Sequence, residues 1–84
     1  MKAIATIMLR DGVLDPQGDA VRRALDHMGF AGIEDVRQGK VIELALSGND
    51  PEQARRDVIE MCERLLANTV IESYRVEIEE CGRP

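Results

Sequence analysis

The sequence is poor in aromatics. Its 84 residues hold one Phe (Phe30), one Tyr (Tyr74) and no Trp. Surfaces that stack nucleic-acid bases need several such rings, so a base-reading sheet is excluded. Basic clusters are missing as well. Eleven Lys and Arg face 16 Asp and Glu, for a net charge of −5. Phosphate backbones and anionic membranes bind clustered cations, so neither is an expected partner. No apolar run approaches the ~18 residues of a membrane span. The N-terminal MKAIATIML is apolar, but Arg10 and Asp11 follow it with no small-residue cleavage site, so a signal peptide is not expected. Histidine occurs once, at His27, and Cys62 and Cys81 have no C-x-x-C spacing. Reduced thiols and a cytoplasmic location are the expectation.

What is present is periodic. Residues 1–84 are expected to form one domain, since a chain this short buries only about 60% of its unfolded surface. Ala3, Ala5, Ile7 and Leu9 alternate along a first strand. Ala20, Val21, Ala24, Leu25 and Met28 recur at helical spacing, with Gly29 as a stop. Ile33–Arg37 and Lys40–Ser47 read as two strands, and Gln38-Gly39 between them suits a tight hairpin turn. Asp50–Ala67 gives the strongest helical pattern, through Ala54, Val58, Met61, Cys62 and Leu65. Tyr74, Val76 and Ile78 alternate in a last strand.

The order is β-α-β-β-α-β, the split βαβ or ferredoxin-like pattern. It predicts an α+β fold, a four-stranded antiparallel sheet with both helices on one face. The other face, with Ile4, Met8 and Val41, is expected to be an interface. An oligomer or complex subunit follows.

Each helix start reads Asp-Pro, at Asp15-Pro16 and at Asp50-Pro51. The Asp caps free backbone N–H groups and the Pro occupies the first helical position. Gln53 is placed to close a capping box after Asp50. The matching position after Asp15 is Gly18, a weak helix former. Val13 and Leu14 precede that cap with no staple partner, so they are expected to find cover in the core or on another chain. Gly18 itself is expected beside another chain.

No catalytic set emerges. Gly12 and Gly18 lack the spacing and the Lys of a phosphate loop. Asp11, Asp15 and Asp19 do not follow a calcium-loop pattern, and one is already a cap. Cys62 lies on an apolar stripe away from any histidine partner, as a buried structural thiol does. Glu77, Glu79 and Glu80 read as a solvated face. Neither a catalytic, a cofactor-binding nor a metal site is expected. The candidate contact residues are Val13, Leu14, Gln17 and Gly18, with Arg37 and Lys40 flanking the predicted turn.

Four stretches resemble a known family. GVLDPQG (12–18), ALDHMGF (24–30), VRQGK (36–40) and LLANTVIESY (65–74) are similar, in order and spacing, to PurS, the small subunit of phosphoribosylformylglycinamidine (FGAM) synthase. Thr69 and Ser73 stand where that family usually has Pro and Asp. The resemblance implies a ferredoxin-like subunit that forms dimers or tetramers. It implies PurL, an ATP-dependent synthetase, and PurQ, a glutaminase, as partners. The complex converts formylglycinamide ribonucleotide to its amidine using ATP, Mg²⁺ and glutamine. This chain would bind none of these and would not be catalytic alone; it would bridge the two enzymes and assist ammonia transfer. A small-molecule-binding regulatory module of the same fold is the alternative.

Overall fold

The computed structural model describes residues 1–79. Five regular elements follow one another: β1 (Lys2–Leu9), α1 (Pro16–His27), β2 (Gly39–Ala45), α2 (Pro51–Met61) and β3 (Glu72–Glu79). A π-helical turn, Cys62–Leu66, extends α2. Its wide ring is closed by the Ala67 N–H donating to the Cys62 carbonyl at 3.0 Å. Predictions on Glu80 and Cys81 lie outside the described residues.

β1 is the central strand of a three-stranded sheet, ordered β2-β1-β3. It pairs antiparallel with both neighbours, Ala5 lying between Ile42 and Val76. Alternation sends Ala3, Ala5 and Ile7 to one face, where all three are buried. α2 lays Ala54 and Val58 on that face, and the π-turn adds Cys62. Small alanines on the central strand leave room for the larger Val58 and Cys62 side chains, both fully buried.

The opposite face is more polar than its apolar members suggest. Ile4 sits between Glu43 and Glu77, and Thr6 between Val41 and Arg75. Lys2 bridges Glu43 and Glu79 at 3.9 and 3.8 Å.

The structure departs from the sequence reading at the second predicted strand. Residues 31–38 have no regular structure, and the sheet has three strands, not four. Gln38-Gly39 is not a hairpin turn. Gly39 is already the first residue of β2, paired with Met8. One residue between Arg37 and β2 is too short for a reversal, which takes at least two. The chain therefore runs straight from 31–38 into β2.

Nor do both helices cover the sheet. α2 packs on β1 and β3, whereas α1 has no substantial packing on any strand or on α2. Instead α1 projects from the sheet and residues 31–38 return alongside it, forming an arm. The radius of gyration is 16.4 Å, against about 12 Å for a compact chain of this length. The extents, 48 × 33 × 15 Å, reflect the same elongation.

Candidate interaction surface

The loop Arg10–Asp15 leaves β1 and enters α1, and its chemistry fixes where the arm points. Asp15 is the helix cap, as its sequence position predicts. One carboxylate oxygen accepts from the Gly18 N–H at 2.9 Å. The other accepts from the Gln38 N–H at 2.8 Å. A single side chain thus ties the start of the arm to its end. The Gln38 and Gly18 N–H groups, with the Arg37 charge nearby, hold the Asp15 carboxyl below the usual carboxylate range.

Arg37 makes a second tie. Its guanidinium donates to the Leu9 carbonyl at 2.7 Å and to the Arg10 carbonyl at 3.0 Å. It also lies 3.9 Å from Asp11. These carbonyls belong to the exit of β1, where the sheet ladder ends. Arg10 in turn donates to the Thr69 carbonyl at 3.1 Å, linking the arm's base to the turn before β3.

Gly18 is buried at this junction. A Cβ there would collide with the Val36 carbonyl of the returning segment and press on the Asp15 carboxylate. The close approach of two pieces of the same chain accounts for the glycine, without a second chain. This intrachain reason was not visible in the sequence, which pointed to a second chain.

The other candidate contact residues divide. Val13 is half-buried, and Gln17 and Lys40 are exposed. Leu14 is 78% exposed and finds no cover among the described residues. The structure adds apolar side chains that sequence reasoning had placed in the core or passed over. Met28 is 70% exposed, Phe30 55% and Leu65 82%. The missed signal was α1 itself, whose apolar stripe was taken to face its own sheet.

The second cap, at Asp50, accepts from the N–H groups of Glu52 and Gln53 at 3.1 and 3.2 Å. Gln53 does not close a capping box; its side-chain amide donates to Asp57 at 2.8 Å.

No bond-breaking constellation is assembled among the described residues. Cys62 is buried, and burial pushes its thiol above the ordinary range. His27 sits on the exposed arm against the Arg23 carbonyl at 3.0 Å. Tyr74 donates to the Glu63 carboxylate at 2.6 Å, which raises its pKa to about 12. Asp19 is paired with Arg22 and Arg23, so the aspartates of this loop do not converge. No three His, Cys, Asp or Glu side chains among the described residues group around a metal position. No helix there is long and apolar enough to cross a membrane.

A small α+β module with an uncovered apolar arm is the class of protein that the fold defines, one that presents surfaces for assembly. The comparisons with known proteins give the family. The model of PurS, phosphoribosylformylglycinamidine (FGAM) synthase, matches residues 2–80. The PurS subunit of Bacillus subtilis is 51% identical over 88% of this chain and 87% of its own. The crystal structure of Methanocaldococcus jannaschii PurS superposes with a TM-score of 0.87 at 38% identity, over 96% of this chain and 98% of that one. A chain in the PurLQS structure of Thermotoga maritima matches with a TM-score of 0.80 at 33% identity, over 90% and 94%. The chain belongs to the PurS family of FGAM synthase subunits.

Proposed function

We propose that this chain is the assembly subunit of a cytoplasmic FGAM synthase, acting as a homo-oligomer that bridges a PurL synthetase and a PurQ glutaminase. The observation that carries this reading is family membership over nearly the whole chain, joined to likeness with a chain of a PurLQS complex. The uncovered apolar side chains of the arm are consistent with it, because large contiguous apolar patches mark contact surfaces. In this reading ATP, Mg²⁺ and glutamine are held by the other subunits. This subunit supplies geometry: it keeps the two active sites in register, so that ammonia released at one reaches the activated carbon at the other before it escapes. Proximity of this kind replaces a diffusive encounter with an effectively intramolecular one.

Reconstitution tests the proposal. Purified PurL and PurQ of the same organism are assayed for glutamine-dependent FGAM formation, with and without this chain. Glutamine-dependent activity is expected to need the chain, while ammonia-dependent activity at high ammonium persists with PurL alone. Equal glutamine-dependent rates in its absence would remove the bridging role. The regulatory small-molecule module has no specific observation in its favour.

A further inference from the structure

We infer that Arg55 guards the outer edge of β3. Its guanidinium occupies the backbone acceptor in the middle of that edge and keeps a strand of another molecule from adding there. The guard decides which surface of the subunit stays closed, and it stands apart from the bridging reading above.

The phase of the sheet shows which backbone groups form this edge. In an antiparallel pair, residues that exchange backbone hydrogen bonds alternate with residues that do not. β1 and β3 pair with Met8 opposite Ser73 and Leu9 opposite Glu72. One step further in the same register, the Arg10 N–H donates to the Ile71 carbonyl at 2.8 Å. Counted from that bonded pair, Ser73, Arg75, Glu77 and Glu79 turn their N–H and C=O groups towards β1. Tyr74, Val76 and Ile78 turn theirs away from it. β3 ends the sheet order β2-β1-β3, so these groups line an open edge.

An edge of this kind invites pairing. β3 runs for 8 residues, longer than the ordinary strand of about 5–6. Tyr74, Val76 and Ile78 alternate with polar residues along it. A long edge with unpaired N–H and C=O groups is a template for another chain, and proteins blunt it with charge or cover.

Arg55 supplies that cover. From α2 its Nη1 donates to the Val76 carbonyl at 2.8 Å. Val76 is the middle one of the outward-facing residues. An incoming strand would have to place an N–H where the guanidinium stands. A charged donor on a carbonyl is about twice as strong as a neutral one, so a backbone N–H does not displace it readily. With Val76 taken, only Glu72–Arg75 and Glu77–Glu79 remain, each short of an ordinary strand.

The position is built in rather than incidental. The Val76 side chain is buried in the same cluster as Val58 of α2, so the packing of helix on strand sets guanidinium and carbonyl together. Neighbouring arginines serve the helix itself: Arg56 donates to Gln53 and Arg64 to Glu60. Glu52 stands three positions before Arg55, a spacing that suits an ion pair on the helix surface. Yet the one bond that Arg55 makes among the described residues goes to the strand edge.

The test uses the full chain. Hydrogen exchange of the unsubstituted protein is expected to show fast amides at Tyr74, Val76 and Ile78 beside slow ones at Arg75 and Glu77. Arg55→Ala is then compared with it by sedimentation velocity and native mass spectrometry over a concentration series. Species above the mass of the unsubstituted assembly are expected at concentrations at least tenfold lower, with the amides of Tyr74, Val76 and Ile78 slowed within them. Arg55→Lys keeps a charged donor and is expected to keep the ordinary mass; growth equal to that of Arg55→Ala would overturn the guard. An unchanged mass for Arg55→Ala overturns it too, and a lower melting temperature with that mass assigns Arg55 to packing alone. Larger species whose three amides still exchange fast place the association elsewhere and overturn it. Protection of those amides in the unsubstituted protein means that the edge is already paired. That result overturns the guard without any variant, and it can be read even where Arg55→Ala fails to fold.

Discussion

Asp15 and Gln38 are 23 positions apart, yet one carboxylate oxygen and one backbone N–H join them at 2.8 Å. The other oxygen of the same carboxylate caps α1 at Gly18. A residue that local sequence explains as a helix cap is therefore also the latch of a long-range element.

That latch is expected to open in acid. Its N–H partners and the nearby Arg37 charge favour the ionised carboxyl, so the folded-state pKa lies below the unfolded value. For a depressed pKa, the stabilisation is fully present above the unfolded value of about 3.9 and is lost as pH falls through the lower folded value. Hydrogen exchange at the Gln38 and Gly18 amides is expected to rise in that window, ahead of the core strands. Asp15→Asn is expected to raise it at neutral pH and to remove the acid step. Protection unchanged by the substitution would show that the latch does not hold the arm.

Gly18→Ala is expected to destabilise, although alanine is the better helix former by about 1 kcal/mol. The added Cβ meets the Val36 carbonyl, which is backbone and cannot rotate aside. Overpacking costs about 1–3 kcal/mol, so after the propensity gain a net loss of up to about 2 kcal/mol is expected from chemical denaturation. A stabilised variant would mean that residues 31–38 do not lie against α1 in solution.

These two residues show where sequence reading stopped. Alternation and helical spacing identify β1, α1, β2, α2 and β3, and the Asp-Pro pairs locate both helix starts. Those signals are local. Val36 lies 18 positions from Gly18, and nothing in the pattern links them. Ile33–Arg37 reads as a strand only through Ile33 and Val36, and residues three apart fall on opposite faces of a strand, so its pattern specifies no ladder. The stripe on α1 is equally silent about what, if anything, covers it. The π-turn is hidden because one widened ring barely shifts the positions of Met61, Cys62 and Leu65.

Tyr74 is expected to titrate late. Its hydroxyl donates to Glu63 at 2.6 Å, and ionisation would put two negative charges together. The pKa rises from 10 to about 12. A raised pKa means that this contact stabilises fully below about pH 10 and is lost as pH climbs towards 12. Phenolate absorbance is expected to follow that higher midpoint, with Glu63→Gln bringing it back towards 10. A midpoint that ignores the substitution would assign the shift to burial alone.

Cys62 is expected to be inert in the native protein. It is fully buried against Ala3, Ala5, Val58 and Val76, and burial favours the neutral thiol. Thiol reagents should modify it only at the rate of unfolding. Cys62→Ser places a hydroxyl in the same apolar site, at a cost of about 1–3 kcal/mol when unpaired. Rapid labelling in native buffer would contradict the packing of α2 on the sheet.

Arg37 gives the sharpest separation between arm and core. One guanidinium nitrogen, Nη2, serves two carbonyls at the exit of β1, while Nη1 faces Asp11. A hydrogen bond from a charged donor contributes about 1.5–3 kcal/mol, which applies to the part-buried Leu9 carbonyl more than to the exposed Arg10 carbonyl. Arg37→Lys is expected to keep a charged donor for the carbonyls but to lose the second nitrogen that faces Asp11; Arg37→Gln loses the charge and should cost more. Arg37 lies outside the cluster around Val58 and Cys62, so Cys62 protection should stay near that of the unsubstituted protein. The Gln38 amide, one residue away, should lose protection in both variants. Simultaneous loss of protection at Gln38 and in the core would mean that arm and sheet fold as one unit, and that the arm has no separate existence on this body.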